Sequence, residues 1–110
     1  MKDEIKKFIS SLEGTELRHP YGKKIEAYYI EDKMFAVVEY KKFGLVLSLR
    51  CDRNLIETLV NSYDEVMLGH KLNQKQWISI VPSGQLDVLE IEGLIRHSYL
   101  LASGSTHLQD

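Results

Sequence analysis

Between Lys24 and Cys51, three β-prone runs are separated by connections of only a few residues, and that spacing decides most of the fold. Lys24 to Ile30 passes through Glu31-Asp32 into Lys33 to Tyr40, and Lys41-Lys42-Phe43-Gly44 turns the chain into Leu45 to Cys51. A parallel pair needs a crossover of a dozen or more residues, so connections this short impose antiparallel hairpins. In the third run Leu45, Leu47 and Leu49 alternate with Val46, Ser48 and Arg50. One face is apolar and the other mixed, as in a sheet covered on one side.

Helices bracket this sheet. Ile5, Phe8, Ile9 and Leu12 recur at i, i+3, i+4 and i+7, which predicts a helix over residues 2 to 13 with Gly14 as its stop. His19-Pro20-Tyr21-Gly22 reads as a turn. Asp52 is placed to cap a second helix over about residues 53 to 63, with Leu55, Ile56, Leu59, Val60 and Tyr63 as its buried stripe. A strand is expected from Val66 to Lys71, a turn over Leu72-Asn73-Gln74-Lys75, and another strand from Gln76 to Val81. Asp87 with Glu90 three residues on forms an Asp variant of the capping box for the last helix, whose inner face includes Ile91, Leu94, Ile95 and Ser98.

The expected architecture is a single α+β domain over residues 1–102, followed by a flexible tail over 103–110. It is a two-layer sandwich: a mostly antiparallel sheet of about five strands, with three helices, in the order α-β-β-β-α-β-β-α.

Composition narrows the classes of function. Apolar residues make up 44% of the 110-residue chain and charged residues 27%, which is enough to bury one core without staples. The net charge of −2 argues against a dedicated nucleic-acid binder, which is usually strongly basic. Cys51 is the single cysteine, so no internal disulfide is possible, and a reducing compartment suits it. No apolar run approaches the roughly 18 residues that span a bilayer, and the charged start lacks a signal-peptide core. A cytoplasmic protein with no membrane partner is expected.

Four stretches carry a family resemblance: Lys33-Met34-Phe35-Ala36, Leu47-Ser48-Leu49-Arg50-Cys51-Asp52, Leu72-Asn73-Gln74-Lys75-Gln76-Trp77-Ile78 and Leu94-Ile95-Arg96-His97-Ser98-Tyr99. In this order and spacing, from about His19 to Ala102, they resemble the MmcQ/YjbR family of small bacterial proteins. The resemblance implies a fold similar to the frataxin-like and secretion-chaperone-like α/β sandwiches. It also implies a DNA-binding-like reading that rests on a double-wing arrangement of strands. Members often carry histidines where this chain has Lys71 and Gln76, so no role of those histidines transfers.

Candidate site residues follow from the same segments. Val66 to Val81 carries Lys71 and Lys75 with no acid, Asn73 as an amide, and Trp77 as a flat aromatic surface. Basic charge, amides and an aromatic ring are what a nucleic-acid surface needs. Lys41 and Lys42 sit on another hairpin and Arg50 on the mixed face of its strand, so adjacent tips would make two basic wings. The plainer alternative is solvated turns and a core tryptophan. Residues 18–81 hold ten Lys or Arg against eight Asp or Glu, so any phosphate binding is weak and salt-sensitive.

Other chemistry finds no support. His19, His70, His97 and His107 have no metal-site spacing, and Cys51 alternates with the core leucines. The acids near the N-terminus are interspersed with Lys2, Lys6 and Lys7, unlike the acidic ridge of an iron-binding frataxin. There is no phosphate loop, nucleophile elbow or acid–base pair, so a non-enzymatic protein without cofactor is expected. Weak DNA binding is the first expectation. The alternative is a protein-interaction or chaperone-like adaptor that uses a sheet face bearing Tyr28, Ile30, Val46, Ser48 and Arg50.

Overall fold

A computed structural model describes residues 2–104. The chain runs α1 (Lys2–Ser11), β1 (Glu16–Arg18), β2 (Ile25–Ile30), β3 (Lys33–Lys41) and β4 (Gly44–Arg50). It continues through α2 (Arg53–Ser62), β5 (Val66–Leu68), β6 (Trp77–Ile80) and α3 (Val88–Ser103). The six strands form one sheet in the order β1-β2-β3-β4-β6-β5, and every neighbouring pair is antiparallel.

The α+β sandwich and its three helices match the expectation, with one strand more. β1 is the addition. Its three residues are too short to show a period, and they are defined by pairing with Ala27 to Tyr29 across a long turn. The helix stop is tighter than expected: α1 ends at Ser11, and Gly14 follows at φ 79°. A Cβ there would lie 2.8 Å from the Ile30 side chain, so glycine is required. β5 ends at Leu68 instead of reaching Lys71, whose φ of 62° is incompatible with a strand. Both predicted caps are present: Asp52 accepts from Asn54 N, and Asp87 and Glu90 complete a reciprocal capping box. α3 closes on Gly104 in the left-handed region; the rest of the expected tail lies outside the described residues.

The helices cover one face. Ile5 and Ile9 from α1, Ile56 from α2 and Ile91 and Ile95 from α3 meet Val38, Leu47, Leu49, Ile78 and Ile80 from the sheet. Phe35 and Ala36, adjacent in sequence, are both fully buried in this core, which a regular strand cannot do. The pairing explains it: Tyr28 faces Ala36 and Tyr29 faces Met34, leaving Phe35 as the extra residue of a β-bulge. Tyr28 and Ile30, expected on the open face, belong to the core side instead.

Among the described residues the other face carries no helix, yet much of it is buried. Val37, Val46, Ser48, Ser79 and Trp77 are all inaccessible there. The cover is the connection between β5 and β6. Gly69 N donates to Trp77 O, His70 N donates to the Ser79 hydroxyl, and Lys71 reaches Glu39 on β3. Since β4 lies between β6 and β3, this loop crosses the sheet and roofs it. Gly69 makes the close approach possible, because a Cβ there would sit 2.8 Å from Trp77 Cβ.

Candidate nucleic-acid interface

The seven candidate residues separate into three groups. Arg50 and Trp77 face one another as cross-strand partners on the roofed face. The Arg50 guanidinium lies 4.9 Å from the centroid of the Trp77 ring, and its Nε donates to Met34 O at 2.6 Å. Trp77 is only 4% exposed. It is therefore a packed ring capped by a guanidinium on the roofed face, outside the helix-covered core. Arg50 is half-buried, its guanidinium holding the Met34 carbonyl just beyond the point where the β3–β4 register ends at Ala36 and Leu49.

Lys41 and Lys71 form the second group. Their ammonium nitrogens lie 3.0 and 3.8 Å from the same Glu39 oxygen, and His70 Nε2 is 3.9 Å from the other oxygen. Part burial pushes the Glu39 carboxyl up, but Lys41, with Lys71 and His70 behind it, holds it below the ordinary carboxylate value. Two lysines from segments 30 residues apart in sequence thus converge on one carboxylate. The loop bearing Lys71 lies back on the sheet, so it is a roof and not a projecting wing.

The third group is Lys42, Asn73 and Lys75, all exposed. The Asn73 carbonyl oxygen accepts from Lys75 N at 2.9 Å, so that amide is occupied in shaping the loop. Lys42 stands at the β3–β4 turn beside Phe43, which is 69% exposed. The turn Lys41-Lys42-Phe43-Gly44 is legible in the sequence, but the exposure of its phenylalanine is not; the hairpin register, with Lys41 opposite Gly44, puts Phe43 at the tip.

Two concavities adjoin these residues. A cleft of about 270 Å³ under the roof loop is walled by Val37, Glu39, Ser48, His70, Lys71 and Leu72. Behind this lining the Ser48 hydroxyl meets that of the fully buried Ser79, with oxygens 2.7 Å apart. A wider groove of about 600 Å³ runs between α1, the β3–β4 tip and the 82–84 loop. Cys51 is buried, and burial followed by the Asp52 charge pushes its thiol up to about 11, which leaves it inert at neutral pH. His97 accepts from Asp52 N, and His107 lies outside the described residues. Among the described residues no helix is long and apolar enough to cross a membrane.

A six-stranded antiparallel sheet with three helices on one face and a basic loop across the other is a small two-layer α+β sandwich. The chain belongs to the YjbR family, whose model matches residues 10–101. It is 24% identical over 103 residues to the uncharacterised protein YbdF of Escherichia coli O157:H7, covering 92% of this chain and 83% of that one. The fold is similar to the crystal structure of the Deinococcus radiodurans protein DR2400, a DUF419 domain, with a TM-score of 0.85 at 23% identity over 92% of this chain and 77% of that one. A Pseudomonas syringae protein superposes with a TM-score of 0.78 at 19% identity, covering 93% and 98% of the two chains. At these identities the structural likeness speaks to fold alone.

Proposed function

We propose that this protein is a cytoplasmic, non-enzymatic domain that binds nucleic acid weakly through phosphate contacts. The surface is Lys41 and Lys42 on the β3–β4 hairpin with Lys71 and Lys75 on the roof loop. The observation that carries the reading is the meeting of Lys41 and Lys71 on one Glu39 oxygen. Like charges brought within a few ångströms repel, and one carboxylate leaves a positive surplus that a phosphate would neutralise. Four lysines set an upper limit near four ionic contacts, below the roughly 6–10 of tight binders, so affinity is modest and falls steeply with salt. Trp77 takes no part, and Arg50 acts by tying the Met34 carbonyl of β3 to the Trp77 ring of β6.

The test is titration of labelled single-stranded and duplex oligonucleotides at low and moderate salt, with Lys71→Glu/Lys75→Glu as the variant. Binding that weakens with salt and is lost in the variant is the expected result. Absence of binding to either oligonucleotide at low salt overturns the reading. Less supports an adaptor that uses the sheet face: of the residues named for it, Tyr28 and Ile30 lie on the helix side, Val46 and Ser48 are buried, and Arg50 is half-buried.

A further inference from the structure

We infer that the groove beside the β3–β4 tip takes a single nucleic-acid strand, with Phe43 stacking on a base and Lys2, Lys41 and Lys42 holding the phosphates. This rests on the phosphate-binding reading above and names the class of nucleic acid. Three observations carry it. Among the described residues the groove lining includes Lys2, Lys41 and Lys42 and no carboxylate. Its floor is apolar, with Ile5, Leu45 and the Tyr40 ring, over which Lys2 Nζ sits at 4.8 Å. Phe43 follows Lys42 at the tip and is 69% exposed, against the usual burial of phenylalanine.

An aromatic ring left in water next to Lys42 matches the two-part recognition of single strands, in which charge tracks the backbone and a ring stacks on unpaired bases. A duplex hides its base faces and offers Phe43 nothing to stack on. Lys41 joins the two surfaces, since it lines the groove and also contacts Glu39 beside the roof loop. A strand can therefore pass from the roof loop over the tip into the groove.

The experiment is fluorescence anisotropy with a labelled oligothymidine of about 15 nucleotides and a duplex of equal length, at low salt. Wild type should prefer the single strand. Phe43→Ala should weaken single-strand binding roughly fivefold or more while leaving duplex binding unchanged, as expected for one lost stacking contact. Phe43→Trp should restore the preference, with the new indole quenched by the bound bases. Equal binding of both oligonucleotides, unaffected by Phe43→Ala, overturns this inference and leaves phosphate binding standing. No binding of either overturns both. Co-sedimentation with anionic phosphatidylserine vesicles that is lost in Phe43→Ala, without oligonucleotide binding, overturns it in favour of a membrane surface.

Discussion

The hydroxyl of Ser98 on α3 donates to the main-chain carbonyl of Phe35 at 2.5 Å, joining a helix to the bulge in β3. The same oxygen accepts from Arg50 N at 2.8 Å. The bulge and the end of the β3–β4 register at Ala36 and Leu49 leave these main-chain groups without a ladder partner, and one buried serine serves both. Ser98→Ala should therefore cost about 2–4 kcal/mol, since it strands a buried donor and a buried acceptor together. Urea unfolding should show a lower midpoint at unchanged slope, with exposed Ser11→Ala staying within about 0.5 kcal/mol of wild type. A Ser98→Ala protein as stable as wild type would remove the serine from its place as the link.

Glu65 performs a comparable task at the start of α3. Its buried carboxylate accepts from Ser83 N and Oγ, Gln85 N and Leu86 N at 2.6–3.3 Å. Burial pushes this carboxyl up, but the Ser83 hydroxyl and the three amides together hold it below its ordinary value near 4.5. A depressed folded-state pKa means that the stabilisation is present above the unfolded value and lost as pH falls from there through the folded one. Glu65→Gln should cost about 3 kcal/mol at neutral pH, because the amide NH₂ faces donors. Its unfolding free energy should also fall less steeply than that of wild type below pH 4.5. Parallel acid limbs would count against the carboxylate as the titrating group.

The two hairpins were legible because Leu45, Leu47 and Leu49 alternate and the connections are too short for anything but antiparallel return. Asp52 and Asp87 were legible because capping is a local hydrogen bond. The bulge at Phe35 was not, since the partner of the Phe35 carbonyl is Ser98, 63 residues away. The same holds at the site. Lys71 looked like part of a strand or wing, but its left-handed backbone and the glycine contact at Gly69 fold the loop onto the sheet. Whether a lone tryptophan stacks outward or packs inward depends on its cross-strand neighbour, and Arg50 lies 27 residues earlier in the chain.

That neighbour makes a prediction for Trp77. A ring covered by a guanidinium and by Gly69 should be poorly quenched by acrylamide, and its emission should not change when oligonucleotide is added. Trp77→Ala should cost about 3–5 kcal/mol through the cavity it leaves. Trp77→Phe should fold and bind as wild type does. Quenching of Trp77 by bound bases would return it to the interface.

Glu39 offers the sharpest separation of charge from packing, because it opposes Lys41 and Lys71 at the point where the proposed phosphates lie. Its ion pairs are partly exposed, and exposed pairs contribute only about 0–1 kcal/mol, so Glu39→Gln should alter stability little. Binding should respond in the opposite sense to most substitutions. Removing the carboxylate frees two ammonium groups and deletes a repulsion of about 1 kcal/mol toward any phosphate near 4 Å, which is roughly a fivefold gain in affinity. The slope of log affinity against log salt should steepen by about 0.7–0.9 for each additional phosphate contact. Anisotropy titrations of wild type and Glu39→Gln across a salt series, alongside urea unfolding of both, give the two quantities separately. A variant that folds normally but binds no more tightly than wild type would show that Lys41 and Lys71 exist to hold Glu39, and that their meeting serves the roof loop and not a phosphate.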